Sequence, residues 1–303
     1  MGTVAAKKAR AGVNVIVGKR LARVPFLVHG FSTRTGGLSK VYGGTSLNLG
    51  FTKHDQRKTV EQNRALFLRT MGARNGHDLW PLVTVRQIHS DIIHCISSAH
   101  PAGIGAPLTG DGLITQTPGL AVAVLTADCL PVILVDTRTH AVGVFHAGWR
   151  GTVRRIVEKG VGEMRKHFGS KPRDIQAAIG PGIGGCCYQV GEEVRTKFET
   201  QFAYAGDLFR EVKESDPIRE KYPLLFLTRR APGHSELPTN IFLDLVEANR
   251  RQLMDAGLPS KNIEAVQVCT ACRPDLLFSH RVEKGVTGRM MAVVGIKPKK
   301  SRS

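Results

Sequence analysis

The feature that most constrains the fold is a pair of strongly apolar segments separated by a short polar turn. The segments PVILVD (131–136) and AVGVFHA (141–147) flank a turn at 137–139. Facing residues of an antiparallel pair have position numbers with a constant sum, here about 275, which sets Cys129 opposite His146. Facing Cβ atoms lie about 4.5–5.5 Å apart. Because Thr-Arg is not a favoured two-residue turn, an offset of one or two residues stays open. The pattern predicts a buried hairpin that brings a thiol and an imidazole together.

The other apolar segments alternate between strand and helix patterns. Strands are predicted at 26–31, 113–115, 121–126, 175–180, 263–268 and 291–296, and helices at 58–71, 153–168 (capped by Thr152), 192–202 and 239–257. Residues 82–96 are β-rich, with His89 between two apolar runs. Hairpins mixed with helices indicate an α/β (α+β) fold in which mixed sheets are covered by helices, and not a doubly wound parallel sheet. We expect one domain over residues 25–296, with basic tails at 1–24 and 297–303.

The net charge of +18 is concentrated at the two ends of the chain. The predicted tails hold six and four Lys and Arg residues and no Asp or Glu. Such tails attract any polyanion without sequence preference. Specific nucleic-acid binding is not expected, because no basic stripe with interleaved aromatics and no helix-turn-helix pattern accompanies them. No apolar run reaches the roughly 18 residues that span a bilayer, and six cysteines do not resemble a disulfide framework. We expect a soluble, cytoplasmic protein.

Cys129 and His146 are the sharpest candidates for chemistry, although either residue alone is more often a satisfied core residue. His89 is the third candidate, only slightly favoured over His94 by its local sequence. Two histidines and one cysteine suit Zn²⁺ with an open fourth position. Type I copper uses the same ligands, but the chain has no His-X-His pair of the kind that multicopper oxidases need. Alternatively, Cys129 acts as a nucleophile activated by histidine, which predicts an acyl intermediate and no metal.

Arginines are the expected partners of an anionic substrate. The candidates are Arg34, Arg86, Arg150, Arg281 and Arg289. Arg34 and Arg150 rank first because each lies beside glycines in a predicted loop at the site.

Several motifs together resemble one family. TADCLPVILVD, FHAGWRGT, IGPGIGGCCYQVGEEV and CTACRPDLLFSHRVEKGVTGR, with FSTRTGG and SLNLG upstream, are similar to the laccase-domain (YfiH-type) purine nucleoside phosphorylases, formerly called polyphenol oxidases. The resemblance extends from about Phe26 to Ile296 and is most specific in TADC with HAGWRG. The chain departs from the family's FFSYRR motif, where His280 replaces an aromatic residue and Val282 an arginine.

The resemblance implies a three-layer α/β fold and a Zn²⁺ ion held by His89, Cys129 and His146. It also implies phosphorolysis of adenosine, inosine, guanosine and methylthioadenosine to the base and ribose 1-phosphate, with adenosine deamination as a side activity. By position, Arg34, Asn48 and Arg64 face the substrate or phosphate. We place Arg150 with the three ligands in the catalytic set.

Three other functions stay open at this point. A copper-dependent polyphenol oxidase, laccase-like in activity, would carry stoichiometric copper. A hydrolase of cell-wall peptides would use Cys129 as its nucleophile. A non-catalytic protein would bind polyanions through its basic tails. The sequence does not predict the oligomeric state or the preferred purine.

Overall fold

The computed structural model describes residues 6–8, 12–97, 108–213, 221 and 239–299. Contacts divide the chain into two compact units, residues 1–184 with 245–303 and residues 185–244. Within the described ranges, no helix combines the length and the apolar character needed to cross a membrane. The single domain predicted for residues 25–296 stays a prediction.

Two six-stranded sheets dominate the larger unit. The first sheet has the order β1 (Ala6–Lys8), β2 (Asn14–Ile16), β3 (Leu27–Ser32), β18 (Met290–Ile296), β10 (Ala121–Thr126) and β7 (Leu82–Thr84). The second has the order β17 (Ile263–Ala265), β13 (Ile175–Ile179), β11 (Leu130–Asp136), β12 (Ala141–Ala147), β9 (Gly112–Thr115) and β8 (Ile93–Ile96). Each sheet is mixed: β10 and β7 pair in parallel, as do β13 with β17 and β8 with β9.

Helices and short strands complete this unit. The helices are α1 (Arg57–Met71), α2 (Trp149–Val153), α3 (Ile156–Phe168) and α5 (Leu245–Asp255). The short strands are β4 (Thr35–Ser39), β5 (Arg74–Asn75) and β6 (Asp78–Leu79).

The two sheets pack face to face because alternate residues of their strands are apolar on the facing sides. One buried cluster joins residues of both sheets: Val122, Val124, Ile133, Val135, Val142, Val144, Ala292 and Val294. The intervening residues of β10 and β18 pack with Phe67 and Leu68 of α1. Phe145 on β12 faces α3, where a Cβ at Gly160 would lie 2.5 Å from its ring. The order is helix, β-sandwich, helix, and the predicted mixed fold is confirmed.

The predicted register of the central hairpin is wrong by two residues. Pro131, and not Cys129, pairs with His146, so that paired position numbers sum to 277. The connection is a four-residue loop, residues 137–140. Its closure depends on the Asp136 carboxylate, whose Oδ1 accepts hydrogen bonds from the amides of Arg138 (2.8 Å) and Thr139 (3.0 Å). Cys129 therefore lies just before β11, at the end of a loop.

Two predicted helix boundaries are also wrong. The helix expected from 153 onward begins earlier and is interrupted at Arg155, whose φ of 62° separates α2 from α3. Thr152 lies inside α2 instead of capping α3. The helix predicted from Thr239 is a strand followed by α5, because residues 239–243 form β16 (Thr239–Leu243).

The predicted N-terminal tail contributes β1 and β2 to the first sheet. β2 pairs with β3, and Val13, Val15 and Leu21 are buried. Residues 1–5, 9–11 and 300–303 of the predicted tails lie outside the described residues.

In the part of the smaller unit that the structure describes, three antiparallel strands form a sheet beside the helix α4 (Glu192–Glu199). The strands have the order β14 (Gln189–Val190), β16 and β15 (Phe209–Lys213). Phe198 of α4 packs edge-on against Phe209. Arg195 of α4 donates to Glu211 of β15 at 2.6 Å. Much of the segment 203–238, which the sequence leaves unassigned, falls outside the described residues.

Candidate metal centre

Three side chains converge at one end of the second sheet. His146 comes from the end of β12, Cys129 from the loop before β11 and His89 from the loop between β7 and β8. Their metal-binding atoms all lie within 4.8 Å of one another. His89 Nε2 is 3.9 Å from Cys129 Sγ, and the two imidazole rings meet edge to face with centroids 4.9 Å apart. His94, the alternative third ligand, instead contacts the carbonyl of Thr109 at 2.9 Å.

The fully buried Asp111 lies behind the two histidines. Its Oδ1 accepts hydrogen bonds from His146 Nδ1 (2.8 Å) and from the His89 amide (3.1 Å). Its Oδ2 accepts from the Ser90 amide (2.6 Å), the Ser90 hydroxyl (2.7 Å) and the Ile88 amide (3.2 Å). Burial opposes ionisation of this carboxyl, but the bonds from His146 and Ser90 prevail and lower its pKa to about 2. Asp111 is therefore a buried carboxylate at neutral pH.

Cys129 and His146 stabilise each other as a charged pair. Burial alone would raise the pKa of the Cys129 thiol, but the charge and hydrogen bond of His146 and the hydrogen bond of His89 lower it to about 6. Burial alone would lower the pKa of His146, but Cys129 and Asp111 raise it to about 9. The thiolate is the form of cysteine that binds a metal or acts as a nucleophile, so the site favours the reactive form.

Two neighbours fix the position of Cys129. Asp128 has a left-handed backbone, with φ of 92°. Its carboxylate accepts hydrogen bonds from the hydroxyls of Thr270 (2.6 Å) and Ser279 (2.7 Å), which tie the loop to the C-terminal segment. Gly148 lies on the other side, where a Cβ would come within 2.8 Å of Cys129 Sγ. The thiol is thus held by backbone geometry and by close packing.

The three ligands fit Zn²⁺ in chemistry and in spacing. Zn–S bonds of about 2.3 Å and Zn–N bonds of about 2.0–2.1 Å at a tetrahedral angle separate sulfur from nitrogen by about 3.6 Å. The Cys129–His89 separation of 3.9 Å is close to that value. Three protein ligands leave a fourth position for water or substrate, as in catalytic zinc sites.

Arg150 and Arg34 have different environments. Arg150 is exposed on α2, next to the site in sequence, and its guanidinium stacks over Trp149 at 4.4 Å. Arg34 donates to the carbonyls of Pro274 and Tyr42, each at 2.7 Å, and forms an ion pair with Glu283 at 3.2 Å. Arg34 therefore joins the loop after β3 to the C-terminal segment, and its predicted substrate contact stays a prediction.

Asn48 and Arg64 are attached to one short loop. Asn48 is fully buried and bonds to Gly50, Asp55 and the Arg289 amide, so it orients the loop without reaching solvent. Arg64 donates from Nε to the Leu49 carbonyl at 2.8 Å. Its guanidinium also stacks over the half-exposed Phe51 ring, 4.2 Å from the centroid. The described contacts show Asn48 as a scaffold for the loop and leave the substrate role of both residues a prediction.

Sequence reasoning missed Asp111 and Gly148 as parts of this site. A weak signal existed for Asp111, which lies between two glycines at the start of a strand. Gly148 stands two residues after His146, where its lack of a side chain permits the close approach of Cys129. These contacts join residues far apart in sequence, so spacing alone does not reveal them.

The chain is similar to known proteins in both sequence and fold. A family model described as multi-copper polyphenol oxidoreductase laccase matches residues 28–297. The purine nucleoside phosphorylase YlmD of Geobacillus stearothermophilus is 36% identical over 276 residues, covering 88% of this chain and 89% of the relative. An adenosine deaminase, RL5, from an unknown prokaryotic organism is 33% identical over 261 residues, covering 84% and 88%. The crystal structure of Bacillus licheniformis YfiH has a TM-score of 0.79 at 32% identity, covering 96% of this chain and 99% of that one.

The two sequence relatives reported above are named as enzymes. The family match covers the strands and loops that supply all three candidate ligands. The chain therefore belongs to the laccase-domain (YfiH-type) family, in which several relatives are named purine nucleoside phosphorylases.

Proposed function

We propose that this protein is a zinc-dependent purine nucleoside phosphorylase. Its substrates are adenosine, inosine, guanosine and methylthioadenosine, and its products with phosphate are the free base and ribose 1-phosphate. The observation that carries the proposal is the convergence of His89, Cys129 and His146 in a chain whose relatives are named for this activity. Adenosine deamination is proposed as a side activity, because a relative with 33% identity is named an adenosine deaminase.

We propose that His89, Cys129 and His146 hold the metal. When bound, Zn²⁺ supplies a Lewis acid and lowers the pKa of a bound water towards 7. Cys129 favours this role because its lowered pKa of about 6 provides the thiolate at neutral pH. Copper is the weaker alternative: the ligand types would suit a type I site, but the sequence lacks any His-X-His pair.

Phosphorolysis also needs cationic groups for phosphate. Arg64 is proposed for this role because burial lowers the pKa of its guanidinium only to about 10, so it stays cationic at neutral pH. Arg150, exposed beside the metal ligands in sequence, is proposed to act in catalysis by approaching the phosphate or the departing base. Arg34 and Asn48 are proposed to contribute by holding the surrounding loops.

Purified protein incubated with adenosine or inosine, with and without phosphate, tests the activity by liquid chromatography of the products. Free base that appears only with phosphate supports phosphorolysis, and inosine formed from adenosine supports deamination. Cys129→Ala is expected to lose zinc and phosphorolysis together. Cys95→Ala is the matched control, because Cys95 lies on β8 outside the three-ligand cluster. This variant should keep both zinc and phosphorolysis.

The alternatives predict different outcomes of the same preparation. Stoichiometric copper with colour and phenol oxidation would favour the oxidase. Zinc-independent turnover of peptides that is blocked by alkylation of Cys129 would favour the hydrolase. If Cys129→Ala lost zinc and kept phosphorolysis, the metal role would have to be abandoned.

A cytoplasmic location is proposed from the cysteine content, because six cysteines in this chain do not resemble a disulfide framework.

A further inference from the structure

One buried carboxylate contacts two of the three candidate metal ligands. Asp111 immediately precedes β9, and its backbone already joins the segments that carry the two histidines. Its amide donates to the Ile92 carbonyl at 2.9 Å, and its carbonyl accepts from the His146 amide at 2.8 Å. Its side chain then bonds the His146 ring and the loop that carries His89. The same residue is thus bound through backbone and side chain to both histidine segments.

The loop around His89 depends on this carboxylate for its shape. Three consecutive amides, those of Ile88, His89 and Ser90, point at Asp111, an arrangement that binds anions through backbone dipoles. His89 itself has φ of 58°, a left-handed conformation that non-glycine residues adopt only when their surroundings enforce it. The convergence of the three amides on one buried anion provides that enforcement and directs the His89 ring towards Cys129.

The contact with His146 selects one form of that imidazole. His146 Nδ1 lies 2.8 Å from Asp111 Oδ1, and a carboxylate accepts but does not donate a hydrogen bond. Nδ1 of His146 therefore keeps its proton, and Nε2 is the nitrogen that can give up its proton to bind a metal. Such partners of metal-binding histidines fix the tautomer and ring orientation.

We propose that Asp111 is the positioning residue of the metal centre, holding the His89 loop and the His146 tautomer at once. This inference rests on the zinc site of the proposed function. Asp111 contacts neither metal nor substrate in this role and acts through the two histidines. One substitution should therefore disturb two ligands together.

Asp111→Asn tests the proposal, because it replaces one carboxylate oxygen, which accepts hydrogen bonds from N–H and O–H groups, with an amide nitrogen that can only donate. Zinc affinity is measured by competition with a chromogenic chelator, and the absorption spectrum of the cobalt-loaded protein reports the ligand geometry. We expect zinc affinity to fall by about 10- to 100-fold and the cobalt bands to shift. Asp91→Asn is the matched control in the same loop: it removes an ion pair with Lys159 that touches no candidate ligand, and it should change neither quantity.

Unchanged zinc affinity and an unchanged cobalt spectrum in a folded Asp111→Asn protein would overturn the proposal. If that variant does not fold, nitrogen-15 correlation spectra of the zinc-loaded wild-type protein decide the matter. Protonated Nδ1 and unprotonated Nε2 on His146 are expected, and the reverse would overturn it. Wild-type protein that binds zinc without phosphorolysis would refute the proposed activity alone, whereas a wild type that binds no zinc would refute both.

Discussion

Gly148→Ala should weaken metal binding through a single steric contact. Gly148 has φ of −75° and ψ of 171°, an extended backbone that alanine adopts freely, so the substitution adds a methyl group without backbone strain. That methyl carbon would lie 2.8 Å from Cys129 Sγ and 3.1 Å from His89 Cδ2. Both atoms belong to candidate ligands, and both are closer than van der Waals contact allows.

The expected size of the effect follows from those distances. Favourable contacts lie at about 3.5–4.0 Å, so the sulfur must move by about 0.7–1.2 Å or the methyl must be displaced equally. Overpacking of this kind costs about 1–3 kcal/mol. If the cost falls on ligand geometry, zinc affinity decreases by roughly 5- to 150-fold.

The assay is chelator competition at fixed pH, with circular dichroism to verify folding. Gly162→Ala is the matched control, because nothing lies within 4 Å of a Cβ at this position of α3. It should leave zinc affinity unchanged and stabilise the helix by up to about 1 kcal/mol. Equal zinc affinity in Gly148→Ala, Gly162→Ala and wild type would refute the packing argument.

Two further predictions concern pH and phosphate. Burial lowers the pKa of the His29 imidazole from 6.5 to about 4. The ring nitrogen Nε2 accepts a hydrogen bond from the Gly18 amide. The unfolded chain therefore binds a proton that the folded chain does not, and about 3 kcal/mol of stability is lost as pH falls from 6.5 to 4. Urea unfolding at pH 7.5 and pH 5 should show a smaller loss in His29→Gln, and an equal loss would contradict the assignment. Arg64→Ala should raise the KM for phosphate by about tenfold or more. Arg57→Ala, an exposed partner of the same Phe51 ring, should not; equal effects of the two substitutions would argue against a phosphate role.

The sequence predicts much of this fold because the central strands are buried on both faces. Residues 121–126 are predicted and observed as the same strand, and the predicted strand at 291–296 differs from β18 by one residue. Continuous apolar runs bounded by polar residues are distinctive in this setting. The hairpin register is harder to predict. It depends on the Asp136 side chain, which closes a four-residue loop that no local propensity specifies.

The candidate site is predictable in its residue types and less so in its geometry. Cys129 and His146 stand out because Cys129 lies just before one apolar segment and His146 lies near the end of the next. His89 could not be separated from His94 by spacing, because its position depends on bonds to Asp111, 22 residues later. The contacts of Asp128 with Thr270 and Ser279 join residues more than 140 positions apart. Only the folded chain brings such partners together.

The most direct test of the proposed activity is phosphorus-31 NMR of the zinc-loaded protein with inosine and inorganic phosphate. Phosphorolysis predicts a growing ribose 1-phosphate resonance, equal in amount to the hypoxanthine released and absent with Cys129→Ala. Hypoxanthine accompanied by free ribose, with no new phosphorus resonance, would show hydrolysis instead and contradict the proposal.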